Sequence, residues 1–343
     1  MAGSRTTLRD VAKLAKVHYA TASTVLNGSK GSTSVSEATK NRVIQAAHDL
    51  DYTVNRSAQQ LRTRRSTVVG LLTGDLENPF FAHMVAACSA ALEVAGYDII
   101  LASRHRDEYG DSHLLDSLLS RDLAGVMVWS ETLTEVRERI AKSGLTNVVV
   151  LGLSIPGYDC VHGLMDPGVT AAYNHLRDEG SRKIAYFAPS QFLNREGDSR
   201  HRIYLEKMAE FGQREMVISY PGSPSDIGAA FAAAEAVAKW PATERPDAIF
   251  CFNDMNAVGA MMGLRRAGLR VPDDIALVGC DNLQISAQLD IPLTTVNYPL
   301  DGICESAARL LVARIDAGPQ VSHKPRTEHL DTSLVVRESS RRR

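Results

Sequence analysis

From Val68 onward the chain repeats one pattern, a short continuous apolar run followed by a longer amphipathic stretch. The runs are VVGLL (68–72), DIILA (98–102), GVMVW (125–129), NVVVLG (147–152), KIAYFA (183–188), MVISY (216–220), AIFCFN (248–253), IALVGC (275–280) and TTVNY (294–298). A strand that is apolar at consecutive positions is buried on both faces, and the helices between such strands cover those faces. The pattern therefore predicts a doubly wound parallel α/β body. Nine strands between residues 68 and 298 are too many for one common doubly wound domain, so two subdomains are expected.

The first fifty residues follow a helical period instead. Thr7 can cap a first helix, and Asp10 can return a bond to the cap's backbone. Leu8, Val11, Ala12 and Ala15 then share one face. A second helix near Tyr19 to Leu26 turns Ala22, Val25 and Leu26 inward and ends at Asn27-Gly28 with turn chemistry. A third starts at Ser36 and carries Val43, Ile44, Ala47 and Leu50 inward. The polar stretch Asn55 to Thr67 has four arginines and few apolar residues, which makes it the best boundary in the chain; Ser57 to Leu61 could form a short helix.

Charge divides at the same place. Met1 to Ser66 holds eleven Lys and Arg against four acids, a charge of +7, which leaves −9 on the rest of a chain whose total is −2. A basic head on an acidic body suggests that the head meets a polyanion. Within the head, Leu8 to Asn27 reads LRDVAKLAKVHYATASTVLN, two short helices joined by a tight turn. In a helix-turn-helix the first helix braces and the second lays its N-terminal side chains against base edges in the major groove. That geometry turns Tyr19, Ala20 and Thr24 outward. The bland alternative is a helical hairpin with no partner, and the charge argues against it.

Other classes are disfavoured. The five cysteines form no C-x-x-C pair, so zinc or redox chemistry has no signature, and no cofactor is expected. There is no G-x-S-x-G elbow, phosphate-binding loop or H-E-x-x-H pair, so an enzyme is not expected. The polar N-terminal stretch has no apolar core for a secretion signal, and no run reaches the ~18 apolar residues of a membrane span. A cytoplasmic protein without a membrane partner is the expectation.

Several motifs in order resemble the lactose repressor (LacI/GalR) family of transcription regulators over nearly the whole chain. They are TLRDVAKLAKV with Thr21-x-Ser23, Val25-Leu26-Asn27-Gly28, NRSAQQLR, Asp75-x-x-Asn78-Pro79-Phe80-Phe81, Asn253-Asp254-x-x-Ala257-x-Gly259-Ala260, Val278-Gly279-Cys280-Asp281-Asn282 and Pro292-Leu293-Thr294-Thr295-Val296. The resemblance implies a small all-α helix-turn-helix head (1–54), a hinge helix or linker (55–66) and a two-lobed body like a periplasmic binding protein. It assigns 67–163 with 294–325 to the N-terminal lobe, and 164–293 with 326–343 to the C-terminal lobe. It implies DNA contacts from Thr7, Leu8, His18, Tyr19, Ala20, Thr21, Thr24, Asn27 and Ser36. Asn55 and Ala58 would sit at the hinge, with Leu61 as a minor-groove wedge. Partners would be operator double-stranded DNA, a small effector (a carbohydrate) and a second copy of the chain in a homodimer.

The head departs from the family pattern where bases are read. Lys16 stands where Gly is usual, so the turn is expected to be shaped differently, because Lys resists positive φ. His18 replaces a Ser, Thr24 replaces a base-reading Arg, and the loop after Asn27 is longer, so the operator is expected to differ. In the body the resemblance implies a ligand cleft lined by Phe80, Trp129, Arg200, Asn253 and Asp281. Arg202 competes with Arg200, and Phe81 is expected to pack. The leading reading is a repressor controlled allosterically by a ligand between the lobes. The alternative, a solute-binding protein of a sugar transporter, fits the body but leaves the basic head unexplained.

Overall fold

The computed structural model describes residues 6–27, 35–52, 66–104, 111–129, 133–193, 199–318 and 324–342. The chain divides into two compact units, Met1–Ser66 and Thr67–Arg343. The hinge residues Asn55, Ala58 and Leu61 lie outside the described residues.

The first unit holds α1 (Leu8–Leu14), α2 (Tyr19–Asn27) and α3 (Glu37–Asp49). Asp10 returns to the cap as expected: its carboxylate accepts from the Thr7 N–H at 2.9 Å and the Thr7 hydroxyl at 2.7 Å. These bonds hold the Asp10 carboxyl below its usual range. The core joins Val11, Ala12, Ala15, Ala22, Val43, Ala46 and Ala47. Ile44 corrects the sequence reading, since it is 55% exposed. The buried face of α3 runs through residues 43, 46, 47 and 50, and a residue one step off that face turns away by about 100°.

The second unit contains two six-stranded sheets. The first has β1 (Val68–Thr73), β2 (Asp98–Ser103), β3 (Gly125–Val128), β4 (Val148–Leu151), β5 (Asp159–Leu164) and β11 (Thr327–Asp331), all pairs parallel, in the order β11-β5-β4-β3-β1-β2. The second has β6 (Ile184–Pro189), β7 (Val217–Tyr220), β8 (Ala248–Cys251), β9 (Ala276–Cys280), β10 (Thr294–Asn297) and β12 (Ser333–Val335), in the order β12-β10-β9-β8-β6-β7. Only β12 runs antiparallel to its neighbour among these described strands.

Helices α4 (Pro79–Val94) and α11 (Leu300–Ala317) cover one face of the first sheet, where Val69, Leu71, Met84, Cys88, Leu92, Ile303 and Leu311 form its core. Helices α5 (Asp111–Leu119) and α6 (Leu133–Ser143) cover the other, over Leu72, Val126 and Val128. The alternation of β1 between the two cores is the period-2 signature of a strand buried on both sides. In the second sheet α7 (Met165–Asp178) and α8 (Ser199–Phe211) bury Tyr173, Tyr186, Tyr204 and Phe250. On its far face α9 (Ile227–Ala238) and α10 (Asp254–Arg266) lie close. A Cβ on Gly259 or Gly263 would come within 2.5 Å of the α9 backbone, so glycine is required there.

The expected lobe boundaries need correction. Thr294–Asn297 pairs with β9 and so belongs to the second sheet, whereas Thr327–Asp331 pairs with β5 and belongs to the first. The chain crosses between sheets after β10, returns through α11 and β11, and crosses again at β12. Among the described residues no helix is long and apolar enough to cross a membrane, and no cluster of His, Cys, Asp or Glu could hold a metal ion.

Candidate nucleic-acid interface and ligand cleft

In the head, Lys16 has φ of 54°, so the turn takes the left-handed form despite lacking glycine, contrary to expectation. The Lys16 N–H donates to Lys13 O and the Val17 N–H to Ala12 O, which together close a Schellman end on α1. His18 also has a local task. Its Nδ1 accepts from the Ala20 N–H at 3.2 Å and so caps the second helix in place of a serine hydroxyl.

Tyr19, 46% exposed, and Ala20 then stand out at the start of α2. Thr21 and Thr24 are half-buried, and the Thr24 hydroxyl donates to Ala20 O at 2.9 Å. Asn27 is the last residue of α2. Ser36 caps α3 through Thr39 N–H, and Thr7 caps α1, so both stand exposed at helix N-termini, where backbone N–H groups and the helix dipole favour a phosphate. Leu8 is half-buried and packs on the head core. Exposed Arg9, Lys13, Lys16 and Arg42 supply cationic surface.

In the body, aromatic rings gather at the C-terminal ends of the first sheet's strands. Phe80 meets Phe81, Trp129 and Tyr298 edge-on, with ring centres 5.3, 5.4 and 5.7 Å away. Each outer ring lies on a glycine. A Cβ on Gly74 would sit 2.4 Å from Phe81, one on Gly152 2.5 Å from Trp129, and one on Gly163 2.5 Å from Tyr298. The glycines thus let rings rest directly on strand ends. The Gly163 N–H also donates to the Tyr298 hydroxyl at 3.0 Å.

The second lobe supplies charge. The Arg200 guanidinium lies 3.7 Å over the Phe252 ring and donates to Phe252 O at 2.7 Å, whereas Arg202 is engaged in exposed ion pairs with Asp166 and Glu206. That separation favours Arg200 as the cleft arginine. Burial pushes the Tyr298 hydroxyl up; the Gly163 N–H holds it back, Asp281 raises it further and Arg200 lowers it. Tyr298 thus packs in the first lobe's aromatic group with its hydroxyl fixed by the Gly163 amide. Low-dielectric aromatic surface beside paired donors and acceptors suits a polyhydroxylated ligand with an apolar face.

The other expected ligand residues are placed differently. Asn253 is only 2% exposed; its Oδ1 accepts from Asn256 N–H and its Nδ2 donates to Pro224 O, so it builds the cleft wall as the cap of α10. Phe80 is 6% exposed and belongs to the first lobe's core, while Phe81 and Trp129 are the more open rings. Asp281 sits at φ 119° just after β9, half-buried. Sequence reasoning missed Tyr298, whose run TTVNY signalled only a strand, and Asp254, which entered only as part of the Asn253-Asp254 motif.

Residues 7–55 match the family described as bacterial regulatory proteins, lacI family, and residues 173–340 match the periplasmic binding protein-like domain. The chain is 27% identical to the HTH-type transcriptional repressor PurR of Aliivibrio fischeri, covering 97% of this chain and 98% of that one. It is 28% identical to the HTH-type transcriptional regulator GalR of Escherichia coli K12, over 91% and 90%. The solved complex of the transcriptional regulator CelR with cellobiose is 29% identical, with a TM-score of 0.69 over 98% and 100% of the two chains. The lac repressor dimer bound to operator and the anti-inducer ONPF has the same fold, with a TM-score of 0.79 at 23% identity over 98% and 99%. The chain thus joins a head that matches the lacI family of bacterial regulatory proteins to a body that matches the periplasmic binding protein-like domain, the same make-up as the regulators it aligns with end to end.

Proposed function

We propose that the protein is a sequence-specific transcriptional repressor of the cytoplasm, without enzymatic activity, whose operator affinity is set by a carbohydrate bound between the two lobes. In this reading α2 enters the major groove, Tyr19, Ala20, Thr21 and Thr24 face bases, and Thr7, Leu8, His18, Asn27 and Ser36 sit near the backbone. Asn55, Ala58 and Leu61 form the hinge, and a homodimer presents two heads to a near-palindromic site. The lobes are assigned as 67–164 with 300–317 and 327–331, and 165–297 with 333–342.

The observation that carries the ligand reading is the group of open rings, Phe81 and Trp129 with Tyr298, at the strand ends of one lobe, with the Arg200 guanidinium held against Phe252 in the other. The related structure with cellobiose supports a sugar, as does a Lactobacillus casei regulator with bound glucose, 27% identical with a TM-score of 0.68 over 79% of this chain and 99% of that one. A ligand shifts DNA binding only by its differential affinity for two lobe arrangements.

The test is a salt titration of binding to the promoter DNA beside the protein's own gene, with and without a panel of mono- and disaccharides. Operator affinity should fall steeply as salt rises, because phosphate contacts release counterions. One sugar should change it, and the same sugar at about 100 times its Kd should stabilise the body by roughly 2.7 kcal/mol. No DNA binding at low salt would overturn the regulator reading; a response confined to purines would overturn the sugar.

A further inference from the structure

The segment that carries Asp281 is built in an unusual way. Asp281 and Asn282 both have positive φ, 119° and 53°, and neither is glycine. Such backbone persists only where its surroundings over-determine it. Here the surroundings converge on one carboxylate, that of Asp254, at the first position of α10. Asp254 is fully buried; its Oδ2 accepts from the Leu283 N–H at 2.8 Å and the Ser286 hydroxyl at 2.6 Å, and its Oδ1 accepts from the Thr295 hydroxyl at 2.5 Å. Thr295 Oγ1 accepts in turn from the Asn282 N–H at 3.2 Å. The Asn282 side chain is gripped from two sides, donating to Asn297 Oδ1 at 2.9 Å and accepting from Arg337 Nη2 at 2.7 Å. Gly279 on β9 leaves room for this carboxylate, since a Cβ there would lie 2.2 Å from Oδ1.

The next residue crosses to the other lobe. Leu283, 5% exposed, joins the core cluster of the first lobe with Phe80 and Tyr298, and Met255, beside Asp254, packs on the same cluster. The amide that fixes Leu283 is the one that donates to Asp254.

We propose that Asp254 is a positioning residue of the cleft: its carboxylate sets the left-handed Asp281–Asn282 backbone, and through the Leu283 amide it fastens that segment to the opposite lobe's aromatic core. Asp281 and Leu283 thereby move as one piece, so a ligand that engages Asp281 also bears on an interlobe contact. The link to a ligand rests on the function proposed above; the geometry of the clamp does not.

The experiment therefore needs no ligand. Full-length protein is prepared in a Trp240→Phe background, which leaves Trp129 as the sole tryptophan, and hydrogen exchange is read peptide by peptide. Asp254→Ala removes both acceptor oxygens; exchange over 281–287 should rise roughly tenfold, as expected when bonds to a buried charge are lost locally. Trp129 emission should shift to the red as Leu283 leaves the ring cluster. Asp254→Asn keeps one oxygen for the Leu283 amide and should restore exchange to within about twofold of the parent. Asp254→Glu keeps the charge but moves it by a methylene, and should behave like the alanine variant; it carries the test if the alanine variant does not fold. Parent-like exchange in the glutamate variant would overturn the proposal. So would an equal rise throughout α7 and α9, because the carboxylate would then merely hold up its lobe.

Discussion

Lys16 in the head and the Asp281–Asn282 pair in the body both put non-glycine residues at positive φ, and they are held in opposite ways. Lys16 is exposed and its conformation is closed by main-chain bonds alone, the Schellman pair to Lys13 O and Ala12 O. Asp281 and Asn282 are half-buried and backed by Asp254, Thr295, Asn297 and Arg337. The first is a helix end that any residue can be forced to make at some cost. The second is a polar lattice in which side chains, and not the chain's local preference, choose the backbone. Strain of the first kind is removable without consequence for the cleft; strain of the second kind is coupled to it.

The largest effect that probes this difference is on pH. Burial pushes the Asp254 carboxyl up from 3.8 to about 6, although Ser286, Thr295, the Leu283 amide and Arg337 all work to lower it. The folded body thus holds this proton more tightly than the unfolded chain does. The group's stabilisation is complete below the unfolded value near 3.8 and is lost as pH rises through about 6. At about 1.4 kcal/mol per pKa unit the loss is on the order of 3 kcal/mol. Denaturant unfolding of the parent and of Asp254→Asn, compared at about pH 4 and pH 7, should differ by that amount; a pH-independent difference would break the comparison. Next in size is Thr295→Val, which takes one donor from the buried carboxylate and an acceptor from Asn282 N–H. It should destabilise the body by about 2 kcal/mol, measured the same way, with the head's amide protection unchanged.

These two side chains mark where sequence reading ran out. All nine apolar runs became strands; seven are buried on both faces, which leaves a continuous apolar signal, whereas the edge strands β2 and β7 stay partly exposed. Strand β5 was missed because Asp159 and His162 interrupt it, β11 because it is an edge strand with alternating exposure, and β12 because it is three residues long. The return crossings after β10 leave no periodic trace, so the lobe boundaries went wrong there. In the site, the motifs single out Arg200 and Asp281, whose contact with a ligand belongs to the proposed function. Asn253 was legible as a position, yet its amide bonds turn it into a wall. Asp254 stands in the sequence only as part of a motif, and its role shows once the turn of Leu283 and Ser286 and the strand residue Thr295 are seen to converge on it from two segments.

Glycine substitutions at the two strained places should have opposite signs. Asn282→Gly relieves little strain, since Asn tolerates left-handed backbone well, and it loses the bonds to Asn297 and Arg337. A loss of about 1–2 kcal/mol in body stability is expected, together with faster exchange over 281–287.

Lys16→Gly is the smallest effect and the sharpest. A β-carbon in left-handed backbone costs roughly 1–2 kcal/mol, and the added freedom of glycine in the unfolded chain returns part of that. The Schellman bonds involve only main chain, so the substitution leaves them in place. Head stability should rise by about 0.5–1 kcal/mol, read as slower amide exchange in α1 and α2 of the full-length protein, while the body's unfolding midpoint stays fixed. A fall in head stability would mean that the Lys16 side chain supports the turn after all, and the division between main-chain and side-chain control of strained backbone would no longer hold.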